Sequence, residues 1–599
     1  MDFITAMAKS QGITSNEKGV ASYNSDGVKS LKEGYEGSRM VALYNRMIGS
    51  RNKSKGISRN DLIKLFNECY DDILQIEDKE TKYDNLVNLI VLVFETRDIK
   101  DGKGERDLFY WLFLRLFEDF PATCINTICL ITGGVDEVMD ICIEDEPIGS
   151  FKDLNRLCEI ISTERSDKFK ELEESIINHY VYNLTRDVHE DNISLSGKWA
   201  PRENKETDKK CKLAKKISKI IFCDDEVQTQ LRKYRKLISS LNKRLNTPEV
   251  KMCESNSSWG ELEVKHFASR AFAKYKKALL DIDKQGNRRN IGDFYREKVR
   301  NKILAEFEKI KTNPSESRLN VSKLQPHEIV RQIMNSDYLS EDEVNALNVM
   351  FEKFVFDFKN ELQDEFVPGI PLCDVSGSMG GIPMEVCIAL GIVISMINPA
   401  PYKDKVLLFT DDASWHDLSD CKTLVEKVKN LQKAKWGGST NFAAAINNIL
   451  NISVSNNVPQ DSYPKMLYVF SDMMFDQSEG NSYYNNYSMY SRQSCCPFKG
   501  GFKSNKDELK IAHDKAGYKM PTICYWNLRD TGDSNVAKSD EEGVICMSGF
   551  SSNLFKHFLS GDFDYKITPF LKLQEVLQNT RYEPIRQICD ICKEVDEKL

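Results

Sequence analysis

Beyond about residue 366, the sequence alternates short apolar runs with amphipathic stretches of helical character. The apolar runs cover 367–373, 406–409, 466–470, 522–526 and 544–547. The helical stretches between them cover 384–397, 424–431, 441–450 and 509–516. Apolar strands that alternate with helices are typical of a parallel sheet covered by helices on both faces. We therefore predict an α/β doubly wound domain over 366–565, with its ligand site where the strands end.

The chain between residues 38 and 365 has a different pattern, which is that of helices. Apolar residues recur there at spacings of three and four, as in Leu62, Leu65 and Phe66. Antiparallel helix pairs joined by short polar loops fit this pattern, so we predict an α-helical repeat region of the HEAT-like kind. Residues 1–37 are polar and rich in Gly, Ser and Lys, which predicts a flexible arm, and 566–599 is predicted to form C-terminal helices.

The composition excludes several classes of protein. With 41% hydrophobic residues the chain can bury a core, so global disorder is excluded. The 17 Cys are irregularly spaced, which indicates reduced thiols in an intracellular protein. No apolar stretch reaches the roughly 20 residues that a bilayer requires, and the first residues lack the pattern of a signal peptide. We expect a cytoplasmic protein without a membrane partner.

The charge of the chain is unevenly distributed. Residues 196–311 contain 30 Lys and Arg against 16 Asp and Glu, a local net charge of +14, whereas the whole chain has a net charge of −8. A basic span of this size can neutralise several phosphates. The nucleic-acid contacts that we predict are Lys209, Lys210, Lys212, Lys215, Lys216, Arg232, Lys233, Arg235 and Lys236. The alternative is that these residues lie on solvated helix faces offset by acidic neighbours.

Five oxygen-bearing residues follow the predicted strands in a pattern that suits a metal ion. They are Asp374, Ser376 and Ser378 after the first run, Thr440 on a loop before a helix, and Asp472 after the third run. Hard oxygen ligands of this kind suit Mg²⁺, Mn²⁺ or Ca²⁺. We predict one divalent cation, with Mg²⁺ first among the three. The alternative is that the motif only caps the following helix and holds no metal.

This pattern resembles the metal-ion-dependent adhesion site of the von Willebrand factor A family, whose form is Asp-x-Ser-x-Ser, a distant Thr and a distant Asp. All five positions match. The resemblance implies that Ser376 and Ser378 bind the metal directly. It also implies that Thr440 or Asp472 changes between direct and water-mediated ligation, and that the remaining coordination position takes an acidic group from a partner.

A helical region followed by such a domain resembles the TROVE proteins, which include the Ro autoantigen. It is similar also to a related uncharacterised family of plants and large DNA viruses, which leaves a viral origin open. The resembling segments span about 40–560 and are 95–98 with 102–106, 149–154, 198–201, 234–236 with Leu241, Ser258-Trp259, and 366–379. The resemblance implies a ring of helical repeats that binds RNA.

The sequence departs from this resemblance in an insertion at 475–508, which is rich in Tyr, Asn and Ser. It follows the strand that precedes Asp472, so it has a place near the predicted metal site. Three interpretations stay open for it: a loop that selects a partner, aromatic residues for base stacking, or a disordered low-complexity segment.

The sequence offers little for catalysis. No GxSxG motif is present, and Ser376 and Ser378 have no general base close in the sequence, so nucleophilic catalysis is poorly supported. We expect a non-enzymatic, Ro-like RNA-binding protein with an adhesion-type metal site. The alternatives are a scaffold that captures acidic partners through the metal without nucleic acid, and a metal-dependent phosphoryl hydrolase.

Overall fold

The structure, a computed structural model, places the chain in two units. The α/β unit comprises the described residues up to 65 together with 325–337 and 355–575. The helical unit comprises 66–324, 338–354 and the described residues from 576 onward. The residues that the structure describes are 38–47, 59–133, 135–136, 141–142, 147–164, 167–321, 324–362, 366–410, 413–433, 442–473, 505–529, 542–551 and 568–596. The predicted arm 1–37 therefore lies outside them.

The helical unit is built almost entirely of helices. The limits predicted for the helical region, 38–365, and its HEAT-like repeat stay predictions. The first of its helices, Lys79–Arg97, begins after Asp78, whose side chain accepts a hydrogen bond from the Thr81 amide. A short antiparallel hairpin of β1 (Val135–Asp136) and β2 (Ile141–Cys142) was not predicted. The other helices are Asp107–Phe117, Pro121–Asn126, Ile128–Thr132, Phe151–Glu164, Lys170–His189, Ser196–Trp199, Glu206–Lys209, Leu213–Ile221, Val227–Leu245, Pro248–Cys253, Asn256–Trp259, Ser269–Leu279, Phe294–Thr312 and Glu583–Cys592.

The C-terminal helix Glu583–Cys592 packs within the helical unit against Lys79–Arg97 and Pro121–Asn126. Beyond this helix, the Asp596 carboxylate accepts hydrogen bonds from the backbone amides of Ala122 and Thr123 at 3.0 and 2.8 Å. An acidic side chain at a helix N-terminus satisfies amides that have no partner inside the helix. This cap joins the end of the chain to a helix more than 450 residues away in sequence.

The α/β unit contains a six-stranded sheet with helices on both faces. Its strands are β3 (Gly369–Asp374), β4 (Lys405–Phe409), β5 (Ala413–Asp417), β6 (Met466–Ser471), β7 (Thr522–Asn527) and β8 (Val544–Ser548). They lie in the sheet in the order β5-β4-β3-β6-β7-β8. The helices of this unit are Ser38–Arg46, Pro326–Met334, Ile382–Ile397, Leu424–Gln432, Phe442–Ser455, Asn505–Ala516 and Pro569–Leu577. The division between the units falls within two further helices, Arg59–Leu74 and Glu341–Leu362, and also within Pro569–Leu577, whose last two residues belong to the helical unit.

The alternation of side chains along β3 explains how the two faces are filled. Ile370 and Leu372 belong to a buried cluster that includes Ile446 of the helix Phe442–Ser455. The opposite face packs on the helix Ile382–Ile397, where the Cys373 thiol donates to the Cys387 carbonyl oxygen at 3.6 Å. That helix is buried nearly all round because Pro326–Met334 packs against its other side.

The prediction of an all-parallel sheet was wrong at one edge. The five predicted strands are present within two residues of their predicted limits, and β3, β4, β6, β7 and β8 are parallel. The sixth strand, β5, was not predicted and pairs antiparallel with β4, so the sheet is mixed. The sequence concealed β5 because it is a half-exposed edge strand that contains Ser414, His416 and Asp417 instead of an apolar run.

Two further predictions concern the insertion and membrane-spanning helices. The helix Asn505–Ala516 begins inside the range assigned to the insertion 475–508, and the rest of that insertion lies outside the described residues. No helix in the described ranges is long and apolar enough to cross a bilayer.

Candidate metal centre

The predicted metal residues follow the strands at the centre of the sheet. β3 pairs with β4 on one side and with β6 on the other, and all three are parallel, so their carboxyl ends lie at one edge. The chain moves outward from β3 through β4 to β5, and then returns to β6 on the opposite side of β3. This reversal is the switch point at which open α/β sheets bind ligands. Asp374 ends β3 and Asp472 directly follows β6, so both carboxylates lie at this point.

The Asp374 carboxylate is buried and held by hydrogen bonds to both oxygens. The amide of Ser376 donates to Oδ1 at 2.9 Å, and the hydroxyl of Ser471 donates to Oδ2 at 2.6 Å. Burial, followed by the negative charge of Asp472, raises the pKa of Asp374 to about 6. Two buried carboxylates that repel each other are the arrangement that a divalent cation neutralises.

The hydroxyl groups of the motif are close to each other. Ser376 Oγ lies 3.0 Å from Ser378 Oγ, with Ser376 buried and Ser378 partly exposed. A short 3-10 turn, Gly377–Met379, brings the two serines together, and Gly381 then adopts a φ of +92° that favours glycine. The carboxylate and hydroxyl oxygens present here fit a hard divalent cation. Asp374, Ser376, Ser378 and Asp472 are the described residues that would hold it.

The fifth predicted ligand, Thr440, lies outside the described residues. The described residues contain no group of three or more His, Cys, Asp or Glu side chains placed to share a metal. The candidate set uses serine hydroxyls beside two carboxylates, and serine is not among those four residue types. The prediction of a metal at this centre therefore stays a prediction.

Two residues that the sequence did not single out support the loop that carries Ser376 and Ser378. Ser471 donates to Asp374, as described above, and its Oγ accepts a hydrogen bond from the Met473 amide at 3.0 Å. Arg529, two residues after β7, donates from its guanidinium to the carbonyl oxygens of Ser378 and Gly380, the latter at 2.7 Å. The arginine is only 6% exposed. These contacts fix the backbone of the loop that carries the serines.

The nine predicted nucleic-acid contacts divide into two groups. Four of them have a carboxylate partner: Lys210 with Glu159 at 2.8 Å, Lys216 with Glu173 at 2.6 Å, Lys233 with Asp225 at 2.7 Å and Arg235 with Glu203 at 2.6 Å. In the described chain the other five, Lys209, Lys212, Lys215, Arg232 and Lys236, are exposed and have no ion pair. Fewer unpaired cations are therefore available to phosphates than the sequence predicted, but five remain.

Comparison with known proteins matches two parts of the chain. Residues 368–588 match a family described as a domain of unknown function, DUF7788, and residues 180–355 match another, DUF2828. The chain is also similar to an uncharacterized protein of Acanthamoeba polyphaga mimivirus. The two are 27% identical over 520 residues, which cover 82% of this chain and 80% of the viral protein.

Proposed function

We propose that this chain is a non-enzymatic RNA-binding protein of the Ro-like, ribonucleoprotein kind, with a divalent-cation adhesion site in its α/β unit. In this proposal the helical unit binds RNA through phosphates. The α/β unit is a von Willebrand factor A-type domain that holds Mg²⁺ and captures an acidic group of a protein partner. The two activities belong to different units and are tested separately.

The RNA-binding part is supported by the five exposed cations without a carboxylate partner in the described chain, described above. Three of them, Lys209, Lys212 and Lys215, lie within seven residues of one another, at the end of one short helix and the start of the next. Lysines that are already extended into solvent and unpaired can contact phosphates without first breaking an ion pair. Each such contact releases a counterion and makes affinity depend on salt.

The cation part is supported by one observation, the meeting of Asp374, Ser376 and Ser378 beside Asp472 at the switch point of the sheet. The role of the bound cation would be to present a coordination position to an anionic partner group. Asp374 would hold the cation, and the two serine hydroxyls would complete its inner ligands. In this proposal the serine hydroxyls and the two carboxylates serve as ligands of the cation, which is a role in binding and not in hydrolysis.

A second candidate function is a scaffold that captures acidic partners through the cation and binds no nucleic acid. The observation that favours it is the ion pairing of Lys210, Lys216, Lys233 and Arg235. Cations that already neutralise carboxylates of the same chain add little attraction for phosphates, and exposed pairs are solvated.

A charge-reversal experiment separates the two candidates. The test variant replaces Lys209, Lys212 and Lys215 with Glu, because these side chains are exposed and form no ion pair with a described residue. The matched control replaces Lys403, Lys422 and Lys429 with Glu. These three lysines of the α/β unit are exposed and form no ion pair with a described residue, and their replacement gives the same change in net charge.

Affinity for a single-stranded RNA is measured by filter binding over a range of salt concentrations. The test variant should bind at least about 10-fold more weakly, and its slope of log affinity against log salt should be shallower by about 2. The control variant should bind like the wild type. Absence of RNA binding by the wild type at about 0.15 M salt would leave the scaffold as the function.

A further inference from the structure

A groove on the helical unit combines an aromatic side chain with unpaired cations, and none of the predicted sites includes its centre. The groove has a volume of about 950 Å³ and is lined by residues between 198 and 254. A cavity of this size is in the range that holds small ligands or part of a polymer. Its most distinctive lining residue is Trp199, which is partly exposed.

The backbone around Trp199 is held in place by its neighbours. The Asn155 side chain donates to the Trp199 carbonyl oxygen at 2.9 Å, and the Tyr234 hydroxyl donates to the Pro201 carbonyl oxygen at 3.0 Å. A Cβ at Gly197 would lie only 2.8 Å from Leu241 Cβ, so glycine allows the helix Ser196–Trp199 to approach Val227–Leu245 closely. The indole is therefore presented from a rigid backbone.

The charges along the groove leave a net positive surface. Arg202, Lys205 and Lys243 line it, are exposed, and have no ion pair with any described residue. Two of its three carboxylates have cationic partners: Glu203 lies 2.6 Å from Arg235 and Glu249 lies 3.6 Å from Lys198. The third, Glu254, accepts a hydrogen bond from Ser258 at 3.4 Å.

The lining of the groove combines apolar and polar side chains. Ile238 and Val250 are apolar, and Ser239, Asn242 and Thr247 are polar. Sites for single-stranded nucleic acid combine two elements: an aromatic face that stacks the bases, and cationic side chains that bind the phosphate backbone. An acidic peptide would use the cations but has no group that needs a flat aromatic surface, so charge and shape together favour nucleic acid.

We propose that this groove binds a segment of single-stranded RNA, with a base stacked on Trp199 and phosphates held by Arg202, Lys205 and Lys243. The inference rests on the proposed RNA-binding function but assigns it a site distinct from Lys209, Lys212 and Lys215. Asn242 already donates to the Gly197 and Ile238 carbonyl oxygens, so it stabilises the groove and leaves recognition to the other polar residues.

The test uses the full chain and two fluorescent probes, a single-stranded RNA of roughly ten nucleotides and an RNA duplex of several turns. The variants are Trp199→Ala, the conservative Trp199→Phe and Lys205→Glu. The matched control is Lys219→Glu, an exposed lysine on the helix Leu213–Ile221 that does not line the groove. Fluorescence anisotropy gives the affinity, and circular dichroism confirms that each variant is folded.

Trp199→Ala should weaken binding of the single-stranded probe by about 10-fold or more, since the variant loses the aromatic face on which a base stacks. Trp199→Phe should retain most of the affinity, and Lys205→Glu should lower it and reduce the salt dependence. Lys219→Glu should have less than about half the effect of Lys205→Glu.

The outcomes separate this inference from the proposed function. If the wild type binds both probes and the groove variants bind the single strand normally, the groove is not the site, whereas RNA binding stands. If the wild type binds neither probe, both proposals are wrong. The inference is overturned if poly-glutamate displaces the single-stranded probe at equal concentration and if the Trp199→Ala variant no longer binds poly-glutamate. The groove is then a peptide site.

Discussion

The hydroxyl of Ser471 donates a 2.6 Å hydrogen bond to Oδ2 of Asp374, joining the ends of two adjacent parallel strands. This bond favours the ionised form of Asp374, in opposition to its burial and to Asp472. Ser471→Ala should therefore raise the pKa of Asp374 further and weaken the proposed Mg²⁺ binding by about 10-fold or more, as loss of an outer-shell partner does in known metal sites.

Mg²⁺ titration by calorimetry at pH 7 measures this effect. The control is Ser455→Ala, which removes an exposed hydroxyl at the end of the helix Phe442–Ser455 and should leave the affinity unchanged. Equal affinities for the two variants would show that Ser471 does not support the centre.

The Arg529 guanidinium holds the loop that carries the serines, through the carbonyl oxygens of Ser378 and Gly380. Arg529→Met should release this loop and weaken Mg²⁺ binding by about 10-fold, with little loss of overall secondary structure. The control is Lys465→Met, an exposed cation of the same unit. A higher Mg²⁺ affinity in Arg529→Met would contradict this prediction. It would show that repulsion between the arginine charge and the cation outweighs the stabilisation of the loop by the arginine hydrogen bonds.

Gly391 allows the helix Ile382–Ile397 to lie close to β3. A Cβ at this position would lie 2.4 Å from the Cys373 sulfur, in a region without exposed side chains. Gly391→Ala should destabilise the α/β unit by about 1–3 kcal/mol through overpacking. Adding Cys373→Ala removes the clash, so the double variant should be more stable than the sum of the single effects predicts.

Urea unfolding of the four proteins in this cycle gives the coupling energy. Additive effects would show that the helix adjusts its position, and that the short distance does not limit packing.

Glu95 is buried in the helical unit, and neither of its carboxylate oxygens has a hydrogen-bond partner among the described residues. Burial raises the pKa of Glu95 from 4.5 to about 8. Two smaller effects oppose each other: the charge of Lys103 lowers this pKa and the charge of Asp98 raises it. The folded state thus keeps a proton that the unfolded state loses. This contribution to stability is complete below pH 4.5 and is lost as the pH rises to about 8.

Glu95→Gln should remove this pH dependence and stabilise the helical unit at pH 8 by as much as about 5 kcal/mol. The urea midpoints at pH 5 and pH 8 test the effect. Glu80→Gln, an exposed change on the same helix, should leave the wild-type difference between the two pH values intact. A wild-type midpoint that rises between pH 5 and 8 would contradict the assignment.

The five parallel strands of the α/β unit were predictable because each is buried along its length and therefore reads as an apolar run. The edge strand β5 was not predictable, because it contains exposed polar residues and therefore has no apolar run. Asp374, Ser376 and Ser378 were predictable from their spacing, because a turn after a strand brings alternate residues together.

The supporting residues of the centre were not predictable, for a topological reason. Ser471 is 97 residues from Asp374, and Arg529 is 151 residues from Ser378. Their contacts arise only when β6 pairs with β3 and β7 pairs with β6. The ion pairs of Lys210 and Lys216 were concealed in the same way, because their partners Glu159 and Glu173 are 51 and 43 residues away.

The central claim is that Asp374 and the two serines hold a divalent cation, and Mg²⁺ calorimetry on the wild type and Asp374→Asn tests it most directly. The wild type should bind one Mg²⁺ per chain at pH 7, and Asp374→Asn should bind none. The variant should melt no lower than the cation-free wild type, since Asn avoids the cost of a buried charge beside Asp472. Mg²⁺ binding of equal affinity in a folded Asp374→Asn protein would contradict the claim.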